Sequence, residues 1–449
     1  MLVLVSDLHI TDETAALNVN PEAFELLGAE VVDSAARRMA REIHLVLLGD
    51  VLDLVRSDYW HRRAVPMELR PWGGTLDRRT GMNQDRGAAE SQFRAVLHGV
   101  LASRTARALR AMLATLAAGP VPLRVTYVIG NHDRVMWNFP SLRAAVQGAW
   151  PQVAEFAAVV ESPAYGVLAR HGHEWDETAH GWRFRREVLA PGDDLDRFDP
   201  ESYEVMAIGE AVTAELVSGL VFHAREAGAP ESLIERLKDV NNVRPLLDVF
   251  GWLEWIGDTR ERAHRDLLHA ALRRALDGFL ETTLAREWDR LKPDTLVSGD
   301  LVDRLEQARS FLLGPRLEAF QGRLAWFDRL LRLTSPLRGT EDALASGARS
   351  ERVFQAEPST AGIERVIYGH THRARHDFFS VSRDGATRMY VNTGTFLPLI
   401  GRAGDEHSFA SALQMTMVFV YGSDEDTQGK RPGTTSLDIW NGTRRKLYA

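Results

Sequence analysis

The sequence predicts an α/β fold built on parallel strands, and three observations point there. Short runs rich in Val and Leu, at Leu2 to Val5, Ile43 to Leu48 and Val125 to Ile129, have the length and composition of buried strands. Between the first two, residues 22 to 42 place Phe24, Leu27, Val31, Val32 and Ala35 on one helical side. Strand, helix, strand then reads as a parallel pair with a crossover. Thirdly, each run leads directly into polar, ligand-type residues: Ser6-Asp7-Leu8-His9, Gly49-Asp50-Val51-Leu52-Asp53 and Gly130-Asn131-His132-Asp133. Functional groups gather at the carboxyl ends of strands in such sheets.

Taken in order, the first run delivers Asp7 and His9. Residues two apart share a face in extended chain, so a carboxylate and an imidazole are expected to converge there. Gly49 lets the backbone turn closely before Asp50. Residues 56 to 92 break the rhythm, with Arg56, Tyr59, Trp60, His61, Arg62, Arg63, Arg70 and Trp72 ahead of a Gly-rich polar stretch. Arginines among aromatics suit a phosphate-bearing, ring-containing substrate, and equally a solvated loop. Residues 93 to 117 have helical spacing, as do Leu142 to Trp150. Val167 to Arg170 is a further strand, ending in His171-Gly172-His173-Glu174. His171 stands directly at the strand end and is the favoured ligand, with His173 as the alternative.

From 176 to 361 the pattern turns helical and holds Trp182, Trp252, Trp255, Trp288 and Trp326, expected as core rather than as a ligand platform. This stretch reads as a helical insertion or cap domain between two parts of one core, 1 to 175 and 362 to 449. Within it, Gly299-Asp300-Leu301-Val302-Asp303 repeats the form of Gly49 to Asp53 but stands out of order, and the helical pattern after it makes Ser298 or Asp300 an N-cap. The sheet resumes at Arg365 to Tyr368, followed by Gly369-His370-Thr371-His372. Phe378 to Val381, Thr387 to Val391, Gln414 to Tyr421 and Thr435 to Trp440 read as mixed or antiparallel strands, with a turn at Asn392 to Thr395.

Composition sets the bounds. At 449 residues the chain exceeds one ordinary core, which agrees with an insertion. The 45% hydrophobic and 26% charged fractions are those of a globular protein. A net charge of −8 argues against bulk electrostatic binding to nucleic acid or anionic membrane. The absence of cysteine removes disulfides and thiolate metal sites and fits a reducing compartment. No basic, then apolar leader is apparent and no run approaches the roughly 18 apolar residues of a membrane span, so a cytoplasmic location is expected. No P-loop or Gly-rich dinucleotide fingerprint is present.

The strand ends together supply Asp7, His9, Asp50, Asn131, His171, His370 and His372. That set is too large for one cation and suits two. Oxygen and imidazole donors fit manganese, iron, zinc, cobalt or nickel. A bridging carboxylate is needed between two ions, and Asp50 is the central candidate. Such a pair would hold a water, lower its pKa and clamp both oxygens of an in-line displacement at phosphorus.

The order Asp7-x-His9, Gly49-Asp50-x-x-Asp53, Gly130-Asn131-His132-Asp133, His171, Gly369-His370-x-His372 resembles the calcineurin-like metallophosphoesterase superfamily. The resemblance covers about residues 1 to 175 and 362 to 440 and leaves the helical middle uncovered. It implies a four-layer αββα sandwich with two mixed sheets and two divalent metals, manganese first among them. It also implies that Asp7, His9, Asp50 and His372 hold one metal, and Asp50, Asn131, His171 and His370 the other. His132 resembles the catalytic histidine, which stabilises the transition state or protonates the leaving oxygen, and Asp53 its orienting partner. The expected function is hydrolysis of a phosphomono- or diester of a small or nucleotide-like substrate. Two alternatives stand beside it: a nuclease with a basic groove from Arg56, Arg62, Arg63 and Arg70, and a non-catalytic scaffold that binds a partner through the helical region.

Overall fold

The computed structural model describes residues 1–244, 248–257, 262–291, 301–312, 340–355, 362–381, 387–405, 407–428, 430–431 and 433–446. Two mixed sheets form the centre. In the first, β1 (Leu2–Val5), β2 (Ile43–Leu48), β3 (Leu123–Val128) and β4 (Val153–Ala157) run parallel. The long β11 (Phe409–Tyr421) joins β1 antiparallel and carries β10 (Pro398–Arg402) and β12 (Ser436–Lys446). The second sheet has the order β5 (Val159–Ser162), β6 (Val167–Arg170), β7 (Arg365–Tyr368), β9 (Thr387–Thr393) and β8 (Ala374–Val381). Its inner pairs are parallel and its outer pairs antiparallel.

Side-chain alternation explains why the sheets stack. Leu2, Leu4, Val46, Leu48, Val128, Val418 and Val420 point one way from the first sheet and pack against Val167, Ala169, Ile367, Met389 and Val391 of the second. The intervening residues of the first sheet, Val3, Val5, Leu45, Leu47, Val125 and Tyr127, point to its outer side. There they share a core with α1 (Glu22–Arg37), α2 (Arg86–Ala102) and α3 (Arg104–Ala117). Leu168, Val366, Tyr368 and Tyr390 face the other way from the second sheet, onto Leu344, Ala348 and Phe354 of the helical segments Thr340–Arg349 and Arg352–Gln355. Strands covered on both faces read as continuous apolar runs, which makes them legible in the sequence.

Some boundaries differ from expectation. α1 stops at Arg37, because Met39 adopts a left-handed φ of 55° and the Ala40 N–H donates to the Ala35 carbonyl at 2.9 Å. That is a Schellman-type closure without its usual glycine. The stretch 93 to 117 is two helices, since Ser103 is extended and its hydroxyl accepts from the Ala106 N–H at 3.2 Å. Asn392 and Thr393 belong to β9, with the turn at Gly394. Strands β4, β5 and β10 add to those expected from the sequence.

Up to Leu312 the described helical middle packs into the same continuous core as the outer face of the first sheet, whereas Thr340–Arg349 and Arg352–Gln355 cover the second sheet. Residues 56 to 92 are its seat: Trp60 and Trp72 are fully buried, 4.9 Å apart between ring centres. Arg70 Nη1 and Trp72 Nε1 both donate to Glu215, at 2.7 and 2.5 Å. Trp252 and Trp288 are core residues as expected, and Trp182 and Trp255 are partly buried against the core. Trp326, Ser298, Gly299 and Asp300 lie outside the described residues. The described helix Leu301–Leu312 occupies the stretch whose pattern reads as helical. Pro200–Glu226 is long and apolar enough to cross a membrane by length and composition, yet 72% of its most apolar window is buried inside the protein.

Candidate metal centre

Asp7 and Asp50 are brought together by their backbones. Beyond the ends of β1 and β2 the two chains stay paired: the Asp7 N–H donates to the Gly49 carbonyl at 3.1 Å, the His9 N–H to Asp50 at 2.8 Å and the Ile10 N–H to Val51 at 2.9 Å. The expected convergence of residues two apart occurs, but not through extended chain. Asp7, His9, Asp50, His370 and His372 all have positive φ, between 42° and 73°. Left-handed turns rather than pleat alternation aim these side chains. Each such residue costs about 1–2 kcal/mol. Gly130 makes room, since a Cβ there would overlap the Asp50 carboxylate.

Each carboxylate uses one oxygen for positioning and turns the other into the cluster. Asp50 Oδ1 accepts the His132 N–H at 2.8 Å. Its Oδ2 lies 3.6 Å from His9 Nε2 and 3.2 Å from His171 Nε2. Asp7 Oδ2 accepts the His370 N–H at 3.0 Å and the Ser6 hydroxyl. Its Oδ1 is buried without a hydrogen-bond partner, 3.8 Å from His9 Nε2 and 3.5 Å from His372 Nε2. The two Nε2 atoms of His9 and His372 stand 3.0 Å apart. His171 Nε2 also meets Asn131 Oδ1 at 3.2 Å. Among the described residues, Asp7, His9 and His372 form one group able to hold a metal ion, Asp50, His171 and His370 another, and His9, Asp50 and His132 a third. Lone pairs of oxygen and nitrogen crowded together, one of them an orphaned carboxylate oxygen, fit a cation of the oxygen- and imidazole-preferring class.

Outward ring nitrogens are anchored. His9 Nδ1 lies 3.0 Å from Asp53 Oδ2, His171 Nδ1 donates to the Leu48 carbonyl at 3.0 Å, and His370 Nε2 lies 3.1 Å from Asp176 Oδ2. Acceptors behind a ligating imidazole fix its tautomer. His132 Nδ1 stands 2.8 Å from Asp53 Oδ2, off the ideal hydrogen-bond direction. Burial works against charge on Asp53, but Arg56 and His132 hold its carboxyl well below the usual range. Burial likewise opposes charge on His171, yet Asp50 lifts it to about 10.

All nine residues singled out by sequence are therefore at one place. His171, not His173, meets Asp50 and Asn131; His173 is buried one layer away, its ring nitrogens without hydrogen-bond partners. Sequence reasoning missed Asp176, Arg244 and the role of Asp133. Asp133 organises the loops by accepting the Gly130 N–H at 2.6 Å, the Val51 N–H at 3.1 Å and the Tyr127 hydroxyl at 2.6 Å. Burial raises its pKa to about 7. Of the loop arginines, Arg56 is buried on Asp53 and Arg70 is locked on Glu215, which leaves Arg62 and Arg63 exposed. No family model matches the chain, and no curated protein matches it.

Proposed function

We propose that the chain is a metal-dependent phosphoesterase with the arrangement of the calcineurin-like metallophosphoesterase superfamily. The meeting of Asp7, His9, Asp50, Asn131, His171, His370 and His372 around the single carboxylate of Asp50 carries this reading. Helix, sheet, sheet, helix layering supports it. Asp7, His9, Asp50 and His372 would hold one divalent cation, and Asp50, Asn131, His171 and His370 a second, manganese being the first expectation. Such cations supply a water acidified toward hydroxide and an electrophilic hold on phosphoryl oxygens.

The remaining work belongs to the chain. His132 sits beside the cluster with its ring 4.6 Å from that of His9, oriented by Asp53. It is the group able to give a proton to the leaving oxygen. Asp53 is a positioning residue that serves His9 and His132 together. The segment 176–361, apart from the helices Thr340–Arg349 and Arg352–Gln355 that cover the second sheet, would act as a cap, reaching the cluster through Asp176 and Arg244. A nuclease gains little support, since two of its four groove arginines are turned inward.

The test is hydrolysis of an aryl phosphate monoester and diester by full-length protein loaded with manganese, with metal content measured alongside. Cleavage of one ester and its loss together with bound metal in Asp50→Ala is the expected result. Inactivity on both esters with metal fully bound would overturn the proposal, as would an active, metal-replete Asp50→Ala.

A further inference from the structure

His132 and Asp53 arrive on two different loops, and their approach to 2.8 Å depends on how those loops are held. One helix of the middle segment touches both. It runs through Ile208–Ala211, a π-wound stretch at Val212–Ser218, and Gly219–Glu226. This is the stretch apolar enough to cross a membrane, and burial of Ala211, Ala214, Leu220, Val221 and Ala224 in the main core accounts for that composition.

The first turn of the helix takes the His132 loop. Arg134, two residues past His132, is fully buried. Its Nε and Nη2 donate to the two oxygens of Glu210 at 2.6 and 3.0 Å, and its Nη1 donates to Asn138 Oδ1 at 2.7 Å and to the Glu204 carbonyl at 2.8 Å. A two-pronged pairing of guanidinium and carboxylate fixes direction as well as distance. Farther along, the helix takes the Asp53 loop. The Ser218 hydroxyl reaches the Val55 carbonyl at 3.4 Å, and the N–H of Val55 donates to Asp53 Oδ1 at 3.2 Å. His61 Nε2 donates to the Ala214 carbonyl at 2.9 Å, and Arg70 and Trp72 close on Glu215. The cation ligands are fastened by other means. Asp7 and Asp50 are set by backbone pairing past β1 and β2, and Asp133 holds the Gly130 and Val51 N–H groups.

We propose that the helix 208–226 is a brace that sets the spacing between His132 and Asp53, and that Glu210, acting through Arg134, is a positioning residue for the proton donor. This rests on the phosphoesterase reading and gives the helical middle a part in the reaction besides covering the site. Metal loading does not need the Glu210–Arg134 pair, whereas alignment of His132 does.

The test is a double-mutant cycle on full-length, manganese-loaded protein. Glu210→Gln is assayed on an aryl ester with an acidic leaving group and on an alkyl ester, in the wild-type and His132→Gln backgrounds. With His132 present, kcat should fall about 10–100-fold on the alkyl ester, as for a donor misplaced by about 1 Å, and less on the aryl ester. KM and bound metal should stay as in wild type. In the His132→Gln background the same substitution should change kcat by less than about twofold, because residues that act as a unit are not additive. Equal loss in both backgrounds, or an undiminished kcat in Glu210→Gln, overturns the proposal. If the unpaired Arg134 charge keeps Glu210→Gln from folding, Arg134→Met with Glu210→Gln decides by the same cycle. That pair leaves no buried charge and keeps an acceptor for the Ala207 N–H, which Glu210 Oε1 accepts at 3.0 Å. A wild type that hydrolyses neither ester sinks the phosphoesterase reading and this inference with it, whereas an active wild type with additive losses sinks the inference alone.

Discussion

Replacing Asp53 by Asn tests the centre at its most connected point. Asp53 is fully buried, and its Oδ2 faces three donors: Arg56 Nε at 2.5 Å, His132 Nδ1 at 2.8 Å and His9 Nδ1 at 3.0 Å. Its Oδ1 accepts the N–H groups of Val55 and Arg56 at 3.2 and 3.0 Å. An amide fills the same volume but cannot serve both sides. If its oxygen keeps the backbone bonds, its NH2 group opposes three donors; if it flips, the backbone bonds are lost. In either pose Arg56 is left buried without its counter-charge, which costs about 3–5 kcal/mol. Loss of the outward partner of His9 should weaken metal binding about 10–100-fold. Loss of orientation at His132 should lower kcat about 10²–10⁴-fold even at saturating metal. Chemical denaturation, metal titration and kcat at saturating manganese read the three effects separately. If Asp53→Asn left kcat within about threefold of wild type, the assignment of Asp53 as the orienting group of a proton donor would be refuted.

Other expectations rest on the same geometry. His132→Gln should keep its metal and lose about 10²–10⁴ in kcat. The loss should be smaller for an aryl ester with an acidic leaving group than for an alkyl ester, and an equal loss would speak against proton donation. Gly130→Ala would drive a Cβ into the Asp50 carboxylate and backbone nitrogen, so a cost of about 1–3 kcal/mol and depleted metal are expected. Full metal content would mean that the loop yields without moving Asp50. His61 packs against the helical middle, beside Ala214 and Phe222. Burial first, then Arg70, lowers its pKa from 6.5 to about 4, while its Nε2–H donates to the Ala214 carbonyl at 2.9 Å. The unfolded chain takes up this proton near pH 6.5 and the folded protein only near pH 4, so stability should fall as pH drops through that window, by up to about 3 kcal/mol. His61→Gln should flatten that part of the stability profile, and an unchanged slope in urea denaturation would contradict it.

What can be read from the chain depends on how locally each feature is encoded. Leu2–Val5, Val167–Arg170 and Arg365–Tyr368 are covered on both faces, so each is an apolar run with at most a terminal arginine, and each stops within two residues of a ligand. β4 and β5 are only partly covered, which gives Val153–Ala157 and Val159–Ser162 no run or alternation to find. Asp176 lies on a turn three residues past His173, and nothing in its neighbours distinguishes a partner of His370 from a capping carboxylate. Arg244 meets His372 across 128 positions, and only the pairing of Val243 with Ile400 brings it there. Arg70 and Trp72 look like a substrate platform because arginine with tryptophan has that composition. Their partner, Glu215, lies in the helical middle and is unreadable from the loop itself.

The backbone adds a separate argument against a vestigial scaffold. Eight described non-glycine residues have positive φ, and five of them are Asp7, His9, Asp50, His370 and His372. At about 1–2 kcal/mol each, the five together represent several kcal/mol of local strain. The same residues crowd an orphaned carboxylate oxygen and facing imidazole nitrogens into a buried space. A fold that used this edge only to dock a partner would gain stability from Asn, Gly or Ser at these positions, where left-handed turns are tolerated or hydroxyls satisfy the loops. Binding of cations by the converging lone pairs would relieve the crowding and offset the cost of the strained backbone. Chelation should therefore destabilise the protein more than the loss of any single surface contact would. An equal melting temperature with and without bound metal would leave the strain without a purpose and favour the scaffold.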